Sequence, residues 1–323
     1  MSGPFDSLRR WGARRAERQR RARFAQSVRH LHGPEAPEIP EGEALVITVL
    51  LNGAGYLETF LNHYRRMGVR HFAFFDVGST DDTVARLAAE PGIYVDQSEL
   101  PLAEHLDLMR TYPAQAYGAD RWCLNVEVDE LLDFEGRKSI GINGLIRYLE
   151  ATDATAMAAQ TLDLFPKTPL AELPPMSFGE VLDTFLYYDM TTIKRFGYHD
   201  PANPLSAYLE RNETVEPGID VLFGGLWAKV FGESRCLTRH PLVFNGPEVQ
   251  LDAHPNVPTG VRCGDVTGVL KSYRFANLAL ARSADRPLFS LDARRWTRVE
   301  LLARAGILTV PDRYRAFFAE AEA

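Results

Sequence analysis

Glu127, Asp129 and Glu130, in the segment WCLNVEVDELLDF (residues 122–134), are the residues of this chain whose types and spacing most directly suggest chemistry. The run from Trp122 to Val128 is short and largely apolar, Val126 and Val128 favour an extended backbone, and the acidic pair Asp129 and Glu130 ends it. Glu127 and Asp129 stand two apart, so on an extended strand they share one face. Two carboxylates can then converge on a hard cation such as Mg²⁺ or Mn²⁺, which in turn can hold a diphosphate. Acids clustered at a strand end are more often plain solvated charge, so this pattern needs support from the rest of the chain.

That support must come from a scaffold that brings strand ends together. In open α/β sheets, ligands bind beyond the carboxyl ends of the strands. Residues 44–51 (ALVITVLL) form a near-continuous apolar run, as expected of a strand covered on both faces. Residues 56–67 place Leu57, Phe60, Leu61 and Tyr64 at helical spacing, with Gly68 as a natural stop. A second strand follows at 71–76 (HFAFFD), and Ser79 with Asp82 three residues on reads as a helix cap. Residues 93–95 give a third strand, and 102–117 a helix interrupted at Pro113. Alternating strands and helices predict a mostly parallel sheet with helices packed on it.

In this order the segment VLLNGAGYLETFLNHYRRMGVRHFAFFDVGSTDDT, followed by WCLNVEVDELL, resembles the family 2 glycosyltransferases. The nearest pattern is a bacterial subgroup that pairs an Asn-Glu-x-x-Tyr-Leu opening with a Tyr-Asp-x-x-Ser-Thr-Asp turn and an Asp-x-Asp-Glu-Phe-Leu strand end. The likeness runs from about Leu45 to Leu132; a looser match takes in GGLWAKVF, RHPLVFNG, His254 and LKSYRF. It implies a GT-A fold, a Rossmann-like α/β domain, and transfer of a sugar from a nucleotide-diphosphate donor with a divalent metal, Mn²⁺ or Mg²⁺. It also implies that Asn52 and Tyr56 lie at the donor nucleotide, that Asp76 sits beside base and ribose, and that Ser79 and Asp81 complete that turn. Asp129 matches the metal-binding acid, with Glu127 where the family has Asp. Gly53 replaces the family's Glu, and Ser272 stands where the subgroup often has His, leaving His254 as a substitute metal ligand. Glu130 or Asp163 would serve as the base that deprotonates the acceptor hydroxyl, giving inversion.

Beyond the acidic segment, residues 142–150 read as an amphipathic helix and 154–164 as a strand. Residues 166–179 are Pro-rich and loop-like, while 224–231 and 236–244 read as strand segments around a Gly turn. Residues 292–306, with Trp296, Val299 and Leu302 on one side, and 314–322 close the chain as helices. The expected division is a basic arm and Pro-rich linker over 1–42, a single transferase domain over 43–285 with its nucleotide half ending at 135, and C-terminal helices over 286–323.

A chain of 323 residues with 46% hydrophobic and 24% charged residues is that of an ordinary globular protein. The net charge of -7 is unevenly spread: the first 32 residues carry nine Arg against Asp6 and Glu17, so the remainder is strongly acidic. An acidic body is a poor non-specific partner for nucleic acid. The arm is either a solvated, partly frayed helix or a peripheral attachment to acidic lipid or a partner. Three cysteines without metal spacing fit a reducing cytosol, and no apolar run is long enough to span a membrane. The expected protein is therefore cytoplasmic, with a glycan, lipid-linked or protein acceptor. The rival reading is a GT-A-like domain that has lost catalysis and serves as a binding or scaffold protein, which Gly53, Glu127 and Ser272 favour.

Overall fold

The computed structural model describes residues 4–36, 38–276 and 293–321. The chain opens with α1 (Pro4–Ser27) and β1 (Arg29–His32), then alternates β2 (Leu45–Leu50), α2 (Leu57–Arg66), β3 (His71–Asp76), α3 (Thr83–Ala88), β4 (Ile93–Gln97), α4 (Leu102–Tyr117) and β5 (Trp122–Asn125). β2, β3, β4 and β5 pair in parallel, in the order β4-β3-β2-β5. Their buried Val, Ile, Phe and Leu side chains are those of strands covered on both faces. Pro113 does not break α4, which continues past it to Tyr117 with Pro113 itself buried.

After β5 come β6 (Glu130–Asp133), α5 (Arg137–Ala151), β7 (Ala156–Asp163), α6 (Phe178–Thr184), β8 (Tyr187–Tyr188), β9 (Lys194–Gly197), α7 (Ser206–Leu209), β10 (Glu213–Thr214) and β11 (Asp220–Gly224). Then follow α8 (Gly225–Phe231), β12 (Arg235–Cys236), β13 (Thr238–Phe244), β14 (Arg262–Cys263), β15 (Gly268–Ser272), β16 (Arg294–Arg295), α9 (Val299–Arg304) and α10 (Asp312–Ala321). The sheet is mixed. β13 inserts antiparallel between β5 and β7, and β15 runs parallel to β7 and antiparallel to β6. The result is an α/β protein with a large mixed, mostly parallel central sheet flanked by helices.

Several expectations shift. GGLWAKVF is a helix, not a strand: Gly224 (φ 113) and Gly225 (φ 68) take conformations that end β11 and start α8, and a Cβ on Gly224 would lie 2.3 Å from the Thr192 carbonyl oxygen. Ser79 caps nothing; Asp82 stands at the N-cap of α3 and makes no side-chain capping bond. Trp296 lies outside α9, its N–H donating to the Leu186 carbonyl, and Asp292 lies outside the described residues. Val299, Leu302, Leu308 and Tyr314 join the same apolar core as Val46 and Phe60, so the C-terminal helices complete the main domain.

The basic arm is docked along its second half. Phe24 is buried against Phe75, Tyr112 and His105, while β1 pairs antiparallel with the edge strand β4. Arg20 pairs with Asp107 of α4 at 2.6 Å, and Arg21 with Asp252 at 2.9 Å. A freely solvated arm is therefore not what this sequence builds from Arg20 onward. Among the described residues no helix is long and apolar enough to cross a membrane.

Candidate active-site cleft

β5 stops at Asn125, two residues before the acids, and the chain reverses at once. The Glu130 N–H donates to the Glu127 carbonyl at 3.0 Å, so residues 127–130 form a tight turn rather than a strand end. The Glu130 side chain closes the same turn from the other side, its Oε2 accepting the Glu127 N–H at 3.0 Å. Three further bonds pin it: Val126 N–H to the Ile47 carbonyl, Tyr273 N–H to the Asp129 carbonyl, and the buried Tyr64 hydroxyl to the Glu130 carbonyl. The acidic residues share a site because of this turn, not because of strand alternation.

The turn forms part of a cleft of about 730 Å³. Leu50, Gly53 and Tyr56 approach from the end of β2, Thr161 and Asp163 from the end of β7, and Trp227 and Arg274 from α8 and the segment after β15. Alternation along β7 puts Thr161 and Asp163 on one face. The carboxylates Glu127, Asp129, Glu130 and Asp163 meet the guanidinium groups of Arg110, Arg235, Arg239 and Arg274 around it.

The acids are not equivalent. Glu130 has no exposed surface and is held by Arg239 at 2.6 Å and Arg274 at 3.3 Å. Burial alone would raise its carboxyl, but the two guanidiniums outweigh it and keep the group below the usual carboxylate range. A buried, doubly paired carboxylate has no vacancy for an incoming proton, which removes Glu130 as the base. Glu127 is tied to Arg110 at 2.6 Å. Asp129 has no ion pair among the described residues, and burial together with the charges of Glu130 and Glu127 pushes its carboxyl up to about 7. Burial also raises Asp163, which Arg274, with Nε at 3.2 Å, offsets only in part. The Tyr56 phenol is raised by burial and by the nearby charge of Asp129.

Three polar atoms in the cleft are buried without a hydrogen-bond partner among the described residues: Trp227 Nε1 and the Thr161 hydroxyl, on residues each 7% exposed, and Asp163 Oδ1, which has Arg274 Nε at 3.2 Å. The face of Trp227 carries the Arg235 guanidinium 3.6 Å from the ring centroid. A donor, a hydroxyl and the Asp163 carboxylate around an aromatic surface suit a ligand with several hydroxyl groups.

The residues expected at the donor nucleotide divide. Tyr56 lines the cleft, packed edge-on against Phe178 at 4.9 Å. Asn52, Asp76, Ser79 and Asp81 do not line it; they stitch the loop after β2 to the loop after β3. Asn52 sits at φ 52, accepts the Thr80 N–H at 2.8 Å on its side chain, and donates its own N–H to the Ser79 hydroxyl at 2.8 Å. Asp81 accepts from the N–H and hydroxyl of Thr83. Asp76 is fully buried, accepting from the N–H groups of Gly78 and Ser79, the Ser79 hydroxyl and the Gln97 amide, which leaves it no surface to offer a ligand. His254 packs at a tilt against Tyr208, ring centroids 4.9 Å apart, and accepts the Asn256 N–H on Nδ1, so its ring is already oriented by the fold. Among the described residues no three His, Cys, Asp or Glu side chains gather as a ready metal site, and His254 lines the same cleft as Asp129 and Glu127. Ser272 is buried and accepts from Arg274 Nε at 2.8 Å, which helps aim that guanidinium at Glu130 and Asp163.

Arg110, Arg274, Thr161 and the Trp227 N–H were not legible as site residues in the sequence. Arg110 lies in an otherwise ordinary helix, and β7 reads as a plain apolar strand. Comparison with protein-family models and with curated protein sequences finds no match to this chain.

Proposed function

We propose that the protein transfers a glycosyl group from a nucleotide-diphosphate sugar to a hydroxyl acceptor with inversion. The observation that carries this reading is the Glu127–Glu130 turn, which presents a partly buried Asp129, without an ion pair among the described residues, in a cleft rich in arginine and in polar groups unpartnered among those residues. A carboxyl raised toward neutrality in a cleft gains its charge when a cation arrives, and Mg²⁺ or Mn²⁺ is commonly bound through one or two carboxylates completed by substrate phosphates. Asp129 fits that role, and Glu127 adds to it on release from Arg110. A cation held there would neutralise charge on the departing diphosphate. Arg110, which needs only to turn from Glu127, offers a second positive group to the same charge.

Asp163 is the carboxylate that takes the acceptor proton. Its raised pKa makes it a stronger base than an exposed Asp, and Arg274 orients it. The Trp227 N–H and Thr161 hydroxyl bind sugar hydroxyls. Glu130 holds Arg239 and Arg274 in place and positions the turn. Full-length protein incubated with UDP-, GDP- and dTDP-sugars should release nucleoside diphosphate in the presence of Mn²⁺, and Asp129→Asn should reduce release by at least ~100-fold. Release that is unaffected by Asp129→Asn, or absent with every donor tested, removes the proposal.

A further inference from the structure

A second cavity of about 310 Å³ adjoins the cleft. Its walls are Ile47 and Val49 of β2, Ala103 and Leu106 of α4, and Leu251 and Val257 of the segment between β13 and β14. The two cavities share Arg110, Glu127, Arg239, His254 and Asn256, so the Arg110–Glu127 ion pair stands where one opens toward the other. The inner space is too small for a glycan chain and of the right order for one compact ring system.

Its polar groups are of a particular kind. Asn125 and Asn256 line the cavity with amides, of which Asn256 already donates to the Cys236 carbonyl at 3.1 Å, and the lining carboxylates Asp107 and Asp252 are held by Arg20 and Arg21. His240 is 5% exposed, and its Nδ1 is buried without a hydrogen-bond partner. On the other side of the ring, Nε2 lies 2.8 Å from the Tyr198 hydroxyl, which also receives the Asn212 amide N–H at 3.2 Å. Burial keeps the ring neutral, so it presents one nitrogen that donates and one that accepts, with the Asn256 backbone carbonyl beside it. An acyl chain has no use for such groups. A flat heterocycle with carbonyl and N–H edges matches an amide and an imidazole edge of this kind.

We infer that this inner cavity holds the base of the donor nucleotide, with the diphosphate at Arg110, Glu127 and Asp129 and the sugar in the outer cleft. This rests on the glycosyl transfer proposed above and changes where its donor lies, since Asp76 is saturated within the fold and has no surface for a base. The three parts of a nucleotide sugar then meet, in order, an apolar slot with amide edges, a charged junction and a polyol site.

The test is calorimetric titration of the full-length protein with UDP, GDP, dTDP, ADP and CDP in the presence of Mn²⁺, with inorganic pyrophosphate and Mn²⁺ as the probe that lacks a base. Wild type should bind one of the nucleotides at least ~10-fold more tightly than pyrophosphate. Leu106→Trp, which fills the cavity, should weaken that nucleotide at least ~10-fold and leave pyrophosphate unchanged. Ala103→Trp, at an exposed rim position, should act in the same direction and keeps the test available if the larger ring at Leu106 prevents folding. Variants that bind the nucleotide as wild type does, or that lose nucleotide and pyrophosphate alike, overturn the base site while leaving glycosyl transfer standing. A wild type that binds none of the nucleotides removes both.

Discussion

The loops after β2 and β3 and the floor of the cleft are built from the same kinds of residue, acids, amides and hydroxyls, and they differ in how many of their polar groups are already in use. Around Asp76 each oxygen is met: two backbone N–H groups, a hydroxyl and an amide converge on one buried carboxylate, and Asn52 holds the neighbouring loop. In the cleft, Trp227 Nε1 and the Thr161 hydroxyl are buried and unpartnered, and Asp129 carries no ion pair among the described residues. Buried polar groups left unmatched cost free energy, so a fold keeps them where a ligand will match them. By that measure the first region has the character of scaffold and the second that of a candidate site, although the motif residues are denser in the first.

The sharpest way to separate them is Asp129. Its folded pKa, about 7, lies above the unfolded value of 3.8, so between those limits the folded chain holds a proton that the unfolded chain has released. Stability therefore falls as pH rises through that window, by no more than ~4 kcal/mol. Asp129→Asn should remove the dependence: its melting temperature should match wild type near pH 4 and exceed it at pH 8. Mn²⁺ should stabilise wild type at pH 8 and not the variant. A variant that melts below wild type at pH 8 would place Asp129 with the scaffold.

Asp76→Ala tests the other side. It leaves the Gly78 and Ser79 N–H groups and the Gln97 amide without their acceptor, and should cost ~2–4 kcal/mol in denaturant unfolding. Protein that still folds should keep its affinity for nucleotide. Unchanged stability with lost nucleotide binding would break the contrast, because it would mean that the carboxylate faces a ligand after all.

These contacts explain why the motif letters alone do not say which of its residues face the cleft. An acid before a Gly-Ser-Thr turn has the same letters whether it holds a ribose or holds the turn, and the Gln97 amide, which arrives from β4 and adds to the N–H bonds on Oδ2, is invisible in that local pattern. The parallel strands β2 to β5 were legible because burial on both faces forces unbroken apolar runs. The antiparallel insertion of β13 was not, since Thr238–Phe244 pairs with β5 and β7 through long-range register that no local pattern carries. The acidic turn was found from its residue types, yet its geometry depends on Arg239 and Arg274, which lie far along the chain and converge on Glu130 only after folding.

Smaller effects are expected where a polar group waits for a ligand. Thr161→Val and Trp227→Phe each remove a buried unpartnered group, so neither should lower stability by more than ~1 kcal/mol. Each should instead weaken donor-sugar turnover by ~3- to 30-fold, read as kcat/KM against a nucleotide sugar, with binding of the bare nucleoside diphosphate unchanged. Equal losses for nucleotide and nucleotide sugar would move these groups away from the sugar.

The smallest effect concerns the arm, which belongs to neither region and touches the edge of one. Arg20 reaches Asp107 on α4 and Arg21 reaches Asp252 on the segment facing it, and both acids line the inner cavity. The two pairs thus tie opposite walls of that cavity to a single helix, whose Phe24 anchors it against Phe75. All four charged side chains keep more than a quarter of their surface exposed, so solvent and salt weaken each pair to ~1 kcal/mol or less. Replacing both arginines by Gln should lower stability by ~1 kcal/mol at low salt and by less at 0.5 M NaCl, while nucleotide affinity falls about threefold as the walls lose their common tie. Loss of the arm's pairing without any change in nucleotide affinity would show that the cavity keeps its shape through α4 and the sheet alone.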